Sequence, residues 1–226
     1  MKKSDFSFRS FQLLSGAIAG TLFLLIVILE GWSRQGYSAI RFPLSSLAIG
    51  PNGWIQELNF IVTGILFIIF SIGLKKELFP DKKNPRGPLL LMLVGTGLVG
   101  AGCCVTDPVY GYPADLPLAL SQFTIHGHFH DGFSMLVFVC LPWSCFVFRK
   151  YFLLNKNSVW ATYSLFTGIG MIIAFILTSM GFKQIQGLVD YAGLLQRTCL
   201  SIGWLWIIIL SIYTYLKYRR THINVN

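Results

Sequence analysis

The chain has 226 residues, 54% of them hydrophobic and only 12% charged, and its 18 Lys/Arg against 9 Asp/Glu give a formal net charge of +9. A soluble domain carries roughly 25% charged residues, so this chain lacks the polar groups to cover a globular surface in water, and its mean hydropathy is +0.63. A soluble enzyme, a disordered tail, a disulfide scaffold and a nucleic-acid module are thereby excluded.

The apolar residues come in blocks near 20 long, the length at which a helix crosses a hydrocarbon core of about 30 Å with every backbone group satisfied internally. In chain order the blocks cover about 11–32, 56–74, 88–106, 132–148, 159–181 and 197–216. The first holds Ser15, Gly16 and Gly20 and runs on into Glu30 and Trp32 without a small-residue cleavage site, so it reads as a retained span rather than a signal peptide. Gln56, Glu57 and Asn59 open the second. Gly95, Gly97, Gly100 and Gly102 in the third, and Gly168 and Gly170 in the fifth, suit close helix contact. Trp32 and Trp54 read as belt anchors at one membrane face and Trp160 at the other. The five cysteines (Cys103, Cys104, Cys140, Cys145 and Cys199) are odd in number and lie in or beside apolar blocks, so no disulfide framework follows. The fold class is therefore all-α: a polytopic membrane protein with a six-transmembrane-helix bundle in a single integral membrane domain, residues 1–226.

An even number of spans puts both termini on one side. That side receives fourteen of the eighteen basic residues: Lys2, Lys3 and Arg9; Lys75, Lys76, Lys82, Lys83 and Arg86; Arg149, Lys150 and Lys156; Lys217, Arg219 and Arg220. The other side holds Arg34, Arg41, Lys183 and Arg197. By the positive-inside rule both termini are cytoplasmic, so the basic excess is topological and nucleic acid is not a partner. The outer connections, about 33–55, 107–131 and 182–196, are longer than the inner ones and half apolar. The expected location is a cell (inner) membrane, with membrane lipids as the partners; the sequence does not set an oligomeric state.

Acidic residues invert the basic pattern. Asp5, Glu77 and Asp81 fall inside, whereas Glu30, Glu57, Asp107, Asp115, Asp131 and Asp190 fall outside or at outer span ends, with His126, His128 and His130 beside them. If the run Thr124–Asp131 is helical, His126 and His130 stand one turn apart on one face. That spacing suits two imidazole ligands of one metal or a proton relay. A zinc centre wants three or four ligands, and Asp107 is the best further candidate, ahead of Glu57, Asp131 and His128. The plainer alternative is that these histidines are interfacial side chains bonded to carbonyls and water. Arg197, at an outer boundary, snorkels or takes an anionic partner, with Asp107, Asp131 or a lipid phosphate as candidates. No G-x-S-x-G or P-loop occurs, and no span carries a charge at its midplane, which argues against an ion-coupled transporter.

Four stretches carry a resemblance: LSSLAIGPNGWIQELNFIVTGILFIIFSIGL, then AGCCVTDPVYGYP, TIHGHFHDGFS and GLLQR. In that order, across about residues 10–217, they resemble the multi-pass bacterial membrane family known as Domain of Unknown Function 998. The resemblance implies three recurrent motifs: Asp107, Pro108, Gly111, Tyr112 and Pro113; His126, Gly127 and His130; and Gln196 with Arg197. It implies no reaction.

Residue reading and resemblance meet at the outer boundary, where Asp107, His126, His130 and Arg197 are expected to face one shared cavity. Two functions follow. In the first, the cavity binds a lipid head group or small amphiphile, with Arg197 as anion contact and Gln196, Asp131, Glu57 and Asn59 as further ligand-binding residues. In the second, the chain is a hydrolase-type membrane enzyme acting on a lipid or lipid-linked substrate from the outer side. There His126, His130 and Asp107 are catalytic, either by holding zinc or another divalent transition metal that activates water or with a histidine as general base. The first requires no cofactor and fewer unseen features.

Overall fold

The computed structural model describes residues 3–83, 85–109, 111–113 and 124–223. Six helices account for nearly all of it: α1 Lys3–Ser33, α2 Gly53–Leu78, α3 Arg86–Cys103, α4 Ile125–Leu154, α5 Ser158–Phe182 and α6 Ala192–Ile223. All six are long and apolar enough to cross a membrane. The expected spans lie within or over these helices, but most helices run further. α4 begins at Ile125 rather than 132, and α6 begins at Ala192 and ends at Ile223, because polar residues at a membrane face can continue a helix that hydropathy alone ends. α3 is the exception: it stops at Cys103, and residues 104–106 are already loop.

Each helix packs against the next in the chain, and α6 returns to pack against α1, which closes a ring. The seams are made by small residues and by polar side chains bonded across them. A Cβ on Gly64 would stand 2.5 Å from the Gly95 carbonyl oxygen and one on Gly95 2.6 Å from that of Gly64, so α2 and α3 touch backbone to backbone. At the α1–α6 seam, the Ser211 hydroxyl donates to the Leu13 carbonyl at 2.5 Å and accepts from the Ala17 amide at 2.9 Å. Trp206 donates to Ser164 across α5–α6 at 3.0 Å. Away from the seams the helices expose large apolar residues such as Ile28, Trp143, Phe166 and Ile173, a surface that lipid covers at no cost.

Toward the end bearing both termini, the ring's interior is filled by aromatic side chains, among them Phe148, Phe152 and Trp206, all buried. At the opposite end, called outer below, α1 connects to α2, α3 to α4 and α5 to α6. The first of these connections, residues 34–52, carries a short 3-10 turn, Leu44–Ala48, whose Leu44 and Leu47 are buried in the common core. All five cysteines are free thiols.

Candidate functional site

Three networks at the outer end account for most of the residues singled out by sequence. The first joins the end of α3 to the start of α4. Thr124 is the N-cap of α4, and its hydroxyl accepts from the Gly127 amide at 3.0 Å. Asp107 in turn receives the Thr124 amide at 2.9 Å and the Thr124 hydroxyl at 2.6 Å. Its carboxylate thus lies at the positive end of the α4 dipole. A Cβ on Gly127 would stand 2.0 Å from the Asp107 Oδ2, so only glycine leaves room for the carboxylate. His128 bonds the Thr124 carbonyl through Nδ1 at 2.8 Å.

The second network ties the loop 34–52 to α1 and α6. Arg197 donates to the carbonyls of Ala39 at 2.7 Å, Phe42 at 3.0 Å and Gly193 at 3.1 Å, and to the Tyr37 hydroxyl. That hydroxyl donates onward to the Pro43 carbonyl at 2.9 Å. Burial pushes the Tyr37 phenol pKa above its ordinary value of 10.0, and the Arg197 charge and hydrogen bond partly offset that rise. Gln196 accepts from the Leu44 amide at 2.8 Å. Arg34, the first residue of the loop, pairs with Glu30 of α1 at 2.6 Å, both side chains nearly buried, and donates to the Ile49 and Leu47 carbonyls. Tyr112, the buried tyrosine of the Asp107 motif, lies edge-on to Tyr37 with ring centroids 5.3 Å apart. Arg197 therefore takes backbone carbonyls as partners rather than Asp107 or Asp131, and among the described residues no acidic side chain pairs with it.

The third is the neighbourhood of His130. Only 2% of this residue is exposed. Its Nδ1 lies 2.9 Å from the Ala101 carbonyl and 2.8 Å from that of Cys104. Carbonyl oxygens only accept, so Nδ1 carries the proton. In the neutral ring Nε2 is then the lone-pair nitrogen, and it has no hydrogen-bond partner among the described residues. The ring lies edge-on to Phe60 at 5.9 Å.

His130 lines a cavity of about 520 Å³ in the outer half of the ring, to which all six helices contribute. Its walls combine aromatic residues (Phe23, Phe60, Phe138, Phe175, Phe182 and Trp204) with aliphatic ones, and its polar members include Asp131, Ser134, Thr178, Ser179, Lys183 and Gln196. Of the four residues expected to converge, only His130 lines it. His126 is exposed on the outer turn of α4, one turn from His130 but outside the lining. Asp107 is occupied by Thr124, and Arg197 by the loop. Asp131 and Gln196 are in the lining; Glu57 and Asn59 are not. Asn59 is buried on α2 and donates to the Gln56 side chain and the Phe23 carbonyl. Among the described residues no three His, Cys, Asp or Glu side chains are grouped so as to hold a metal; His126, His130 and Asp107 do not form such a set. The expected acidic residue Asp115 and the loop proline Pro117 lie outside the described residues.

Sequence reasoning counted Lys183 only as a topological charge, yet it is the one basic residue of the lining. The signal was its place at the outer end of a span that otherwise carries no charge.

The DUF998 profile, described as a protein of unknown function, matches residues 17–213. The chain belongs to the DUF998 family. That match runs from within α1 to within α6, so it includes the three outer connections and every residue that lines the cavity. No curated protein and no solved structure matches the chain.

Proposed function

We propose that this DUF998 protein binds an amphiphile in its outer cavity, with the apolar part against the aromatic walls and the polar part near His130, Gln196 and the rim. The observation that carries the reading is the cavity itself. Ligand sites are typically about 300–1,000 Å³, mostly apolar, with a few placed polar groups, and about 520 Å³ with one buried, oriented histidine fits that description. Arg197 supports the site from behind by holding the loop that contributes Leu44 and Ser45 to its wall.

The test is native mass spectrometry of the detergent-purified chain beside Ser134→Phe, which puts a ring into the cavity from a partly exposed position. Wild type should retain a lipid-sized adduct that Ser134→Phe loses while its melting temperature holds. A wild-type chain that carries no adduct, even after lipid is added back, would overturn the reading.

A second reading, hydrolysis of a lipid or lipid-linked ester from the outer side, is favoured by one observation. A histidine whose Nδ1–H is fixed by two carbonyls offers Nε2 as a proton acceptor, the arrangement a general base needs. Ester cleavage in proteoliposomes that His130→Gln abolishes and metal chelation does not would support it over a metal-dependent route. Stoichiometric zinc lost in His126→Ala and His130→Ala would reverse that order.

A further inference from the structure

The amphiphile reading leaves open how a ligand reaches the cavity and what head group it carries, and the exposure of the lining addresses both. On α1, α2, α3 and α6 every lining residue is buried. The exposed members, Asp131, Met135 and Lys183, belong to α4 and to the residue that ends α5. Among the described residues the cavity therefore opens between these two helices. The chain joins α4 to α5 only at the opposite end, through residues 155–157. Lower in the pair, Phe138 and Phe175 stack with ring centroids 4.7 Å apart and close the gap from below. A gap that is apolar below, lies between two membrane-spanning helices and leads to an interior cavity faces the hydrocarbon of the bilayer.

The mouth carries one charge of each sign on opposite sides: Asp131 on α4 and Lys183 capping α5. They form no ion pair with each other. Among the described residues neither has an ion-pair partner, although His130 and His128 stand near enough to act electrostatically on Asp131. Opposite charges on either side of a cleft suit a ligand that carries both signs itself.

Resting on the amphiphile reading, we infer that the cavity admits a zwitterionic phospholipid sideways from the outer leaflet between α4 and α5, with its phosphate at Lys183 and its ammonium at Asp131. The acyl chain then lies along Met135 and Phe138 toward the buried wall. Lys183 is suited to the phosphate because a flexible ammonium at an interface reaches outward as a point charge.

The full-length chain, delipidated in detergent, is offered equimolar phosphatidylethanolamine and phosphatidylglycerol, and the retained lipid is read by native mass spectrometry. Phosphatidylethanolamine should be preferred by about tenfold, equivalent to about 1.4 kcal/mol. Asp131→Asn should remove that preference by weakening phosphatidylethanolamine alone, Lys183→Gln should weaken both lipids, and Met135→Trp at the mouth should slow uptake of both. Both charged residues are exposed, so these variants keep the fold, and an unchanged melting curve verifies it. Equal or greater retention of phosphatidylglycerol, or an Asp131→Asn variant that keeps the preference, overturns the head-group assignment. Displacement of bound lipid by soluble glycerophosphoethanolamine at comparable concentration overturns the bilayer route. In each of those outcomes lipid is still bound and the amphiphile reading stands. That reading fails separately if wild type retains neither lipid.

Discussion

At the scale of single residues, Asp107, Thr124 and Gly127 act as one device. The carboxylate receives the Thr124 amide and hydroxyl, the hydroxyl receives the Gly127 amide, and the missing Cβ at Gly127 is what lets the carboxylate approach. Replacing Asp107 with Ala should cost about 1 kcal/mol, as loss of a helix cap does. Gly127→Ala should cost a similar amount, because its methyl displaces the same carboxylate. If both act through that group, the double variant costs no more than the larger single one, a non-additivity that a double-mutant cycle reads directly. Cys140, Cys145 and Cys199 are buried, so the onset of labelling by a thiol-reactive dye reports unfolding. The sequence pointed to these positions but not to their job. Asp107 and His126 looked like ligands because carboxylate and imidazole are ligand chemistry, whereas a capping carboxylate 17 residues upstream leaves no periodic trace. The threonine three residues before a glycine was the only available hint.

Among the elements, the loop 34–52 is held in place by polar side chains. Arg197, Gln196 and Arg34 between them engage the carbonyls of residues 39, 42, 47 and 49 and the amide of residue 44. Arg197→Lys places a single ammonium where a planar fork met several acceptors, and should destabilise the chain by about 1–3 kcal/mol through the carbonyls left unpaired. Tyr37 adds a pH dependence whose sign is fixed. Its folded pKa lies above the unfolded value of 10.0, so the unfolded chain loses that proton first. Its contribution is complete below about pH 10 and falls as pH rises beyond that, until the folded phenol also ionises. Melting curves of wild type and Tyr37→Phe from pH 8 to 11 should show the wild-type curve falling more steeply above pH 10. The helices themselves were legible, because uninterrupted apolar blocks near 20 residues admit little else. Their ends were not: Thr124–Asp131 is too polar to register as span, and Gln196 with Arg197 set the short apolar run Ala192–Leu195 apart from the last block, yet both stretches are helical or helix-capping. Nor was the partner of Arg197 legible: every residue owns a carbonyl, so no side-chain pattern announces a carbonyl acceptor.

For the whole molecule, sidedness is the property that charge counting supplies and a helix ring cannot. Gln184 and Asn155 are exposed at opposite ends of the ring. With native cysteines replaced by serine or alanine, Gln184→Cys should react with a membrane-impermeant maleimide in intact cells. Asn155→Cys should react only after permeabilisation, and the reverse pattern would invert the topology. An outer cavity was expected from its polar residues, but its apolar walls were beyond the sequence, because they come from six helices and none of their aromatic residues differs in pattern from ordinary core.

The ring's sequential packing has a consequence for biogenesis. Because neighbours in space are neighbours in the chain, α1 to α5 can assemble in the order in which they are synthesised, each on the one before. The last helix has a different task, since it must find α5 and α1 together across almost the whole length of the chain. Until α6 arrives, Phe23, Phe60 and Leu98 line an open trough with no Gln196, Leu200 or Trp204 opposite them. A nascent chain therefore has no closed cavity until α6 is in place, and a chain arrested before that point presents an unfinished furrow, the kind of surface that membrane proteases and insertion chaperones can distinguish from a completed ring.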